Sequence, residues 1–381
     1  MEKINKKLAI IGASYLQLPL ILKAKEMGLE THVFAWVAGD VGEKEADHFY
    51  PISIVNKDEI LDECRKIGID GICTIASDLA SVTVNYVGHN MGLVCNSPEC
   101  TFVSTNKHAM RRRFEEFNVP SPLSIELSDE CAFDNSFAYP VIVKPVDRSG
   151  SRGITKVLRE EDLTDAINRA LEQSFCRRVL IEEFVEGDEF SCESISWKGE
   201  HKLITFTKKF TTGSPGFIET GHYEPAFVGE EEKLVDMISP IIINALDSLG
   251  IEYGASHSEF KINKQGEIKL IEIGARMGGD MIGSSLVKLS TGVDFVEQII
   301  NVALGIKPAV EITEDKASGI RYIFSKTDIE VYRRIKEENP KFLVDSDRIE
   351  IPSQTVTDSS TREGYFIICD EDKYKVLEYM S

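Results

Sequence analysis

Val141–Lys144 is a short apolar run that ends in a lysine, and the loop Ser149-Gly150-Ser151-Arg152-Gly153 follows it. A lysine at a strand end supplies a cation, and glycine-bearing backbone lets several N–H groups converge on phosphate oxygens. This is not a P-loop, because the lysine precedes the glycines and no helix starts after them. Alone, such a loop reads equally well as a surface turn. Lys107 lies upstream, beside Arg111, Arg112 and Arg113. Downstream, the segment VLIEEFVEGDEFSCE, Val179 to Glu193, runs from apolar residues into Glu182, Glu183, Phe184 and Val185. A strand leaving its sheet in this way offers main-chain groups to an adenine edge, with Phe184 and Val185 for apolar contact. Glu189, past the turn at Gly187, is spaced to accept hydrogen bonds from two ribose hydroxyls. The plainer alternative is an acidic edge strand with one solvated face.

The segment HSEFKINKQGEIKLIEIGARMGGD, His257 to Asp280, allows its geometry to be worked out. With Asn263–Gly266 as the hairpin loop, Ile262 pairs with Glu267, Glu259 faces Leu270, and Glu272 faces His257. Side chains alternate along a strand, so Glu259, Glu272 and His257 share one face, and Phe260, Ile262, Ile271 and Ile273 the other. The two glutamates then stand as diagonal neighbours, roughly 7–8 Å apart at the backbone. Two carboxylates so placed repel without a cation, and Mg²⁺ bridging to phosphate oxygens relieves them. Arg276, in the glycine-rich turn just past the strand, is placed to neutralise a transferring phosphoryl group.

The elements that must hold these groups read as alternating strands and helices. Leu8–Ile11 is a buried strand, Gly12-Ala13-Ser14 turns into a helix ending before Gly28, and Thr31–Trp36 is a second strand. A helix over Lys57–Lys66, a strand over Gly71–Ile75 and a helix after Asp78 continue the pattern, which predicts a parallel sheet covered on both faces. Gly12 alone is no G-x-G-x-x-G fingerprint, so this opening reads as structural. A helix over Asn106–Asn118 stops at Pro120 and Pro122. Strands over Val141–Lys144 and Ile154–Val157, a helix over Glu161–Gln173 and a strand over Arg178–Phe184 come next. Phe190–Lys209 is strand-like, Thr211–Pro225 a loop, Glu232–Leu249 a helix, and Ser256–Ile273 the hairpin. From Lys307 the pattern is short strands and turns, with a last helix at Asp372–Met380. Domains are expected over 1–105, 106–306 (two lobes meeting near 185) and 307–381.

The chain has 381 residues, with 43 Lys+Arg against 63 Asp+Glu, a formal charge of −20. Such a surface repels nucleic acid and anionic membranes, which excludes broad binding of either. Any phosphate must therefore meet a local basic cluster. No apolar run reaches the roughly 18 residues that would span a bilayer. The cysteines are scattered, without a Cys-x-x-Cys pair, and no two histidines sit at metal-ligand spacing. That pattern suits free thiols in a reducing, cytoplasmic compartment. Lys3, Lys6 and Lys7 before the apolar stretch Leu8–Leu22 have the outline of a signal peptide. Gly12, Ser14, Gln17 and Pro19 interrupt it, and strand–turn–helix is the better reading.

In this order the three segments resemble the ATP-grasp superfamily, over about residues 1–305. More faintly, VTDSSTREGYFII, Val356 to Ile368, resembles the small closing domain of its biotin-carboxylase-like members. The resemblance implies an α/β and α+β fold: a parallel-sheet, Rossmann-like N-terminal domain, a two-lobed ATP-grasp domain and a small β-rich C-terminal domain. It implies ATP with Mg²⁺, or Mn²⁺ in its place. Lys107 and Lys144 would hold the α- and β-phosphates, and the Ser149, Gly150, Ser151 and Gly153 loop would close over the γ-phosphate. Glu182, Glu183, Phe184 and Val185 would meet adenine, Glu189 the ribose, Glu259 and Glu272 the metal, and Arg276 the transferred phosphate. The family has Asn two residues after the second Glu, where this chain has Gly274.

Superfamily members mostly convert a carboxylate to an acyl phosphate that an amine or thiol then attacks. The stretch KKFTTGSPGFIETGHYEPA, Lys208 to Ala226, lies where related ligases contact substrate. Glu219 and His222 are thus candidates, with His257, Gly278 and Gly279, although His222 reads equally as an ordinary loop histidine. The expected function is an ADP-forming carboxylate–amine ligase taking small-molecule substrates, in its finer form an L-amino-acid (dipeptide) ligase. The alternatives are a bicarbonate-using carboxylase, a purine-pathway or phosphoribosylglycinamide-synthetase-like enzyme, and a nucleotide-sensing module. No biotinyl-lysine AMKM motif is present. Related three-domain proteins often dimerise, so a homodimer is expected.

Overall fold

The computed structural model describes residues 6–128, 137–148, 152–213 and 217–381. Ser149, Gly150 and Ser151 of the glycine-bearing loop therefore lie outside the described residues.

The opening strands, Lys7–Ile11, Glu30–Phe34, His48–Tyr50 and Gly71–Cys73, form a parallel sheet with Lys7–Ile11 and Glu30–Phe34 at its centre. Leu8, Ala9, Ile10 and Ile11 are all fully buried, as a continuous apolar run in a doubly covered strand requires. Helices Leu18–Glu26, Lys57–Ile67 and Asp78–Met91 supply cover, and so does the distant helix Phe295–Ala303, whose residues join the same core. Pro19 sits in the first turn of its helix, where its missing N–H leaves no bond unmade. Among the described residues no helix is long and apolar enough to cross a membrane.

A second, four-stranded antiparallel sheet has the order Ser124–Ser128, Arg178–Glu183, Val141–Pro145, Thr155–Val157. The third sheet is antiparallel and eight-stranded. Its order is Ile268–Gly274, Tyr253–Ile262, Asp188–Trp197, Glu200–Thr211, Glu219–Glu224, Ala317–Tyr322, Tyr365–Asp370, Leu343–Asp347.

Three departures from the sequence reading matter. Glu219–Glu224 is a strand inside the expected loop, bonded on both sides. Gly221 permits it, since a Cβ there would stand 2.6 Å from the Ile320 carbonyl oxygen. This strand carries the sheet unbroken from the Tyr253–Gly274 hairpin into the C-terminal residues. Lys326–Glu338 is a helix where short strands were expected, opened by a Ser325/Asp328 capping box and burying only a narrow stripe that includes Ile329 and Ile335. The hairpin, finally, is one residue out at its turn: Ile262 pairs with Ile268, and Phe260 with Leu270. A bulge next to Phe260 then brings Glu259 directly opposite Glu272. Without it the one-residue slip would have sent Glu272 to the far face; the bulge moves the register by a second residue and so restores the face, with the two glutamates directly opposed instead of diagonal. Ile271, assigned to the core face, lines the cavity instead.

Glu224, at the end of the unexpected strand, is fully buried and accepts hydrogen bonds from Thr207 Oγ1 at 2.8 Å and Ser290 Oγ at 3.0 Å. Burial, reinforced by the charge on Glu193 and only partly offset by the two hydroxyls, pushes its carboxyl from 4.5 up to about 8. A raised carboxyl binds its proton more tightly in the folded than in the unfolded chain, so stability falls as pH rises between those values. Glu224→Gln should melt close to wild type at the acid end of that window and progressively above it toward pH 8, read by thermal denaturation across pH. Parallel pH dependences would contradict a neutral Glu224.

Candidate active site

The small antiparallel sheet and the hairpin end of the large one enclose a cavity of ≈ 170 Å³. Lys107, Lys144, Glu182, Glu183, Phe184, Val185, Glu189, Glu219, His257, Glu259, Glu272 and Arg276 all line it. Gly278 and Gly279 line a second cavity of ≈ 540 Å³ beside it. Gly153 lines neither; its φ of +71° and the 3.0 Å that a Cβ would leave to Pro145 show a turn glycine.

One part of the first cavity is basic. Asn106 caps the helix Lys107–Glu116, whose first residue sends Nζ to Glu272 Oε1 at 2.6 Å and the Arg148 carbonyl oxygen at 2.8 Å. Lys144, at the end of its strand, pairs with Glu182 Oε2 at 2.5 Å. Arg111 Nε lies 2.8 Å from the other oxygen of Glu182. Burial alone would raise the Glu182 carboxyl, but Arg111 and Lys144 outweigh it and hold it below the usual range. Glu182 therefore uses its carboxylate to hold Lys144, and only its main chain is left for the adenine role. Burial and the neighbouring Arg111 and Lys107 together depress Lys144, against the pull of Glu182.

Another part is apolar. Phe184 and Phe217 approach to 6.4 Å between ring centroids, and Lys156 Nζ stands 3.5 Å over the Phe184 ring. Ile142, Ile154 and Val185 complete a surface that suits a planar heterocycle.

Between these parts lies the carboxylate cluster, with a lysine that sequence reasoning missed. Lys209 Nζ stands 2.8 Å from Glu259 Oε1, 2.9 Å from Glu189 Oε1 and 3.7 Å from Glu219 Oε1. Burial would depress this lysine, yet the three carboxylates hold it well above its usual value. His257 bonds through Nδ1 to the fully buried Glu193 and through Nε2 to Glu259 at 3.2 Å. Burial opposes its charge, but Glu193 and Glu259 raise it to about 9, and both ring nitrogens are taken up by carboxylates. Glu259 and Glu272 remain as donors, a set that suits a hard cation completing its shell with phosphate oxygens and water. Gly278 donates its N–H to Glu193 at 3.0 Å, and a Cβ on it would meet Glu193 and His257 at 2.6 and 2.7 Å. Its place is therefore to let that pair pack.

Arg276 faces the same cavity but is gripped by Asp78 at the start of an N-terminal helix, Nε to Oδ1 at 2.8 Å and Nη2 to Oδ2 at 3.1 Å. This pair explains Gly274. A Cβ there would lie 3.0 Å from Asp78 Oδ1 and 3.1 Å from the Arg276 guanidinium carbon, so the ion pair occupies the space an asparagine would need.

In the second cavity Asp280 accepts from Arg362 Nη2 at 2.5 Å and lies 3.4 Å from His222 Nε2. Both Asp280 and Met281 have left-handed backbone, φ +52° and +61°. Burial opposes ionisation of Asp280, but His222 and Arg362 hold it far below its usual value. The Arg362 guanidinium lies 3.8 Å over Tyr322, and Ser359 donates to Glu219 at 2.7 Å. The C-terminal segment thus closes onto the site. His222 sits on a strand, buried behind Asp280, and lines neither cavity. Glu193, Asp280 and Arg362 were not singled out in the sequence, because each acts through partners distant in the chain.

A lysine pair beside an apolar slot, with two opposed carboxylates and a fixed arginine, defines a nucleotide-dependent phosphoryl-transfer site. Residues 137–284, about two fifths of the chain, match the family model for the ATP-grasp domain, so this part of the chain is an ATP-grasp domain. Over 276 residues it is 27% identical to the alanine–anticapsin ligase of Bacillus subtilis (strain 168), covering 65% of this chain and 57% of that protein. The match thus spans little more than half of that relative's length. The L-amino acid ligase from Bacillus licheniformis superposes with TM-score 0.80 at 22% identity, over 98% of this chain and 97% of that one. Phosphoribosylglycinamide synthetase from Anaerococcus prevotii gives TM-score 0.76 at 22% identity, over 98% and 96%. At these identities the two structures establish a shared fold.

Gly274→Asn should force the Asp78–Arg276 pair apart and cost about 1–3 kcal/mol by overpacking. Chemical denaturation checks this; an unchanged midpoint would show that the pair yields without cost.

Proposed function

We propose that the protein is an ATP- and Mg²⁺-dependent ligase that joins a small carboxylate to an amine, forming ADP, and that both substrates are amino acids. The observation that supports it most is the convergence of Lys107, Lys144, Glu259, Glu272 and Arg276 on one cavity, with a second, largely apolar cavity beside it that carries Asp280 and Arg362. The likeness to the alanine–anticapsin and L-amino acid ligases supports amino acids as the class.

Phe184 and Phe217 flank the base, Glu189 accepts from the ribose, and Lys107 and Lys144 hold phosphate oxygens. Glu259 and Glu272 would hold Mg²⁺ or Mn²⁺, which when bound would offset charge on the phosphates. Nucleotide phosphate takes over Lys107 from Glu272, and the freed carboxylate becomes available to the cation. A substrate carboxylate oxygen attacks the γ-phosphorus and ADP leaves with the electrons of the broken bond. Arg276, immobilised by Asp78, meets the charge that develops on the transferring group. The amine nitrogen then attacks the acyl carbon, phosphate departs with the C–O bonding electrons, and the amine gives up a proton. Arg362 and Asp280 offer a carboxylate-binding cation and an ammonium-binding anion where an amino acid would lie.

The test is phosphate release from ATP and Mg²⁺ with each common amino acid, singly and in pairs. Stimulation by particular pairs is expected; none by any amino acid would remove the amino-acid reading, and bicarbonate-dependent ADP formation would favour a carboxylase. Glu272→Ala should lower turnover by at least about 100-fold. Arg362→Ala should raise KM for the amino acid about tenfold or more, with a smaller effect on kcat.

A further inference from the structure

At the outer edge of the N-terminal sheet, far from both cavities, two histidines and a glutamate converge. Glu30 and His32 are two apart on strand Glu30–Phe34 and so point to the same face. The parallel register sets His48, on the three-residue edge strand His48–Tyr50, directly beside His32. The two imidazoles stack with centroids 4.7 Å apart and planes 14° from parallel. Glu30 Oε1 lies 3.2 Å from His32 Nε2 and 3.1 Å from His48 Nε2, and the three atoms all fall within 4.8 Å of one another.

We propose that Glu30, His32 and His48 form a binding site for a divalent transition-metal ion of the zinc class. Nitrogen and oxygen ligands about 2.0–2.1 Å from a tetrahedral ion lie about 3.3 Å from one another, close to the two distances here. The second, independent observation is His32 itself. It is 3% exposed, and its Nε2 has only the Glu30 carboxylate beside it, at 3.2 Å and outside good hydrogen-bond geometry. A buried imidazole nitrogen left without a partner is costly unless something else occupies its lone pair. The other ring nitrogen, Nδ1, lies 3.0 Å from the Tyr50 hydroxyl. With Nδ1–H donating to that oxygen, Nε2 carries the lone pair on the side of Glu30; because the rings are stacked, the half-exposed His48 ring must turn out of the stack to share an ion with it.

Two imidazoles and one carboxylate suit zinc and its borderline neighbours, unlike the all-oxygen set of Glu259 and Glu272. Water completes the shell from the solvent side, where the side chains of Glu30 and His48 are 37% and 51% exposed. The ion would tie the short edge strand to its neighbour. Sequence spacing did not show the site, because its histidines meet only through parallel pairing across an intervening segment.

The experiment is titration of the whole chain with Co²⁺ and then Zn²⁺, alongside Glu30→Gln, His48→Ala and, as a control at the other acidic site, Glu272→Gln. One Co²⁺ with the visible absorption of four-coordinate nitrogen and oxygen ligation is expected in wild type and in Glu272→Gln. Affinity should fall at least about tenfold in His48→Ala and in Glu30→Gln. Zn²⁺ should displace the Co²⁺ signal and raise the melting temperature of wild type but not of His48→Ala. Both altered side chains are substantially exposed, and metal-free melting curves matching wild type would show that the fold is kept. Absence of the Co²⁺ absorption in wild type, or its persistence at equal affinity in His48→Ala, would overturn the proposal.

Discussion

Glu259 and Glu272 face each other across neighbouring strands, where like charges destabilise a sheet. The surrounding structure answers this repulsion. Lys209 reaches Glu259 from the Glu200–Thr211 strand, and Lys107 reaches Glu272 from the start of a helix in a different part of the chain. His257, kept charged by Glu193, adds a further hydrogen bond to Glu259. Each cation is itself mostly buried, and a buried charge pair stands only when its geometry and remaining hydrogen bonds are nearly complete. In this cluster each carboxylate has a cation within reach, so neither glutamate stands as an uncompensated charge.

The same economy of partners appears in the second cavity. Asp280 is held in left-handed backbone between Arg362 and His222, which come from the C-terminal segment and from the strand Glu219–Glu224. That strand links the Tyr253–Gly274 hairpin to the C-terminal strands in one sheet, so the residues that close the site are anchored to those that build it. Asp78, at the head of an N-terminal helix, grips Arg276 in the same manner. All three sequence regions therefore contribute a charged side chain to the one functional area.

Much of this was legible beforehand. The lysine next to last in Val141–Pro145, the acidic exit strand and the Glu259/Glu272 hairpin carry their chemistry in local pattern, and twelve flagged side chains share one cavity. What escaped was non-local. Lys209 looked like an ordinary strand lysine, and Glu193 like one acid among many. Arg362 could not be tied to Asp280 by any spacing. The hairpin shows how narrow the margin was, since a misplaced turn and an unseen bulge together left both glutamates on the face expected. The helix Lys326–Glu338 was missed because its apolar stripe is thin and its other faces are charged.

The acidic balance of −20 required that any phosphate meet a local basic cluster, and periodicity alone established the parallel sheet, the hairpin and the strand–turn–helix opening. Those follow from side-chain alternation and local backbone preference, which act over a few residues. Which charges neutralise which, why position 274 is glycine, and that His32 and His48 stand side by side were decided only when distant segments packed. Electrostatic pairing and steric exclusion depend on distance in space, and sequence order does not report that distance.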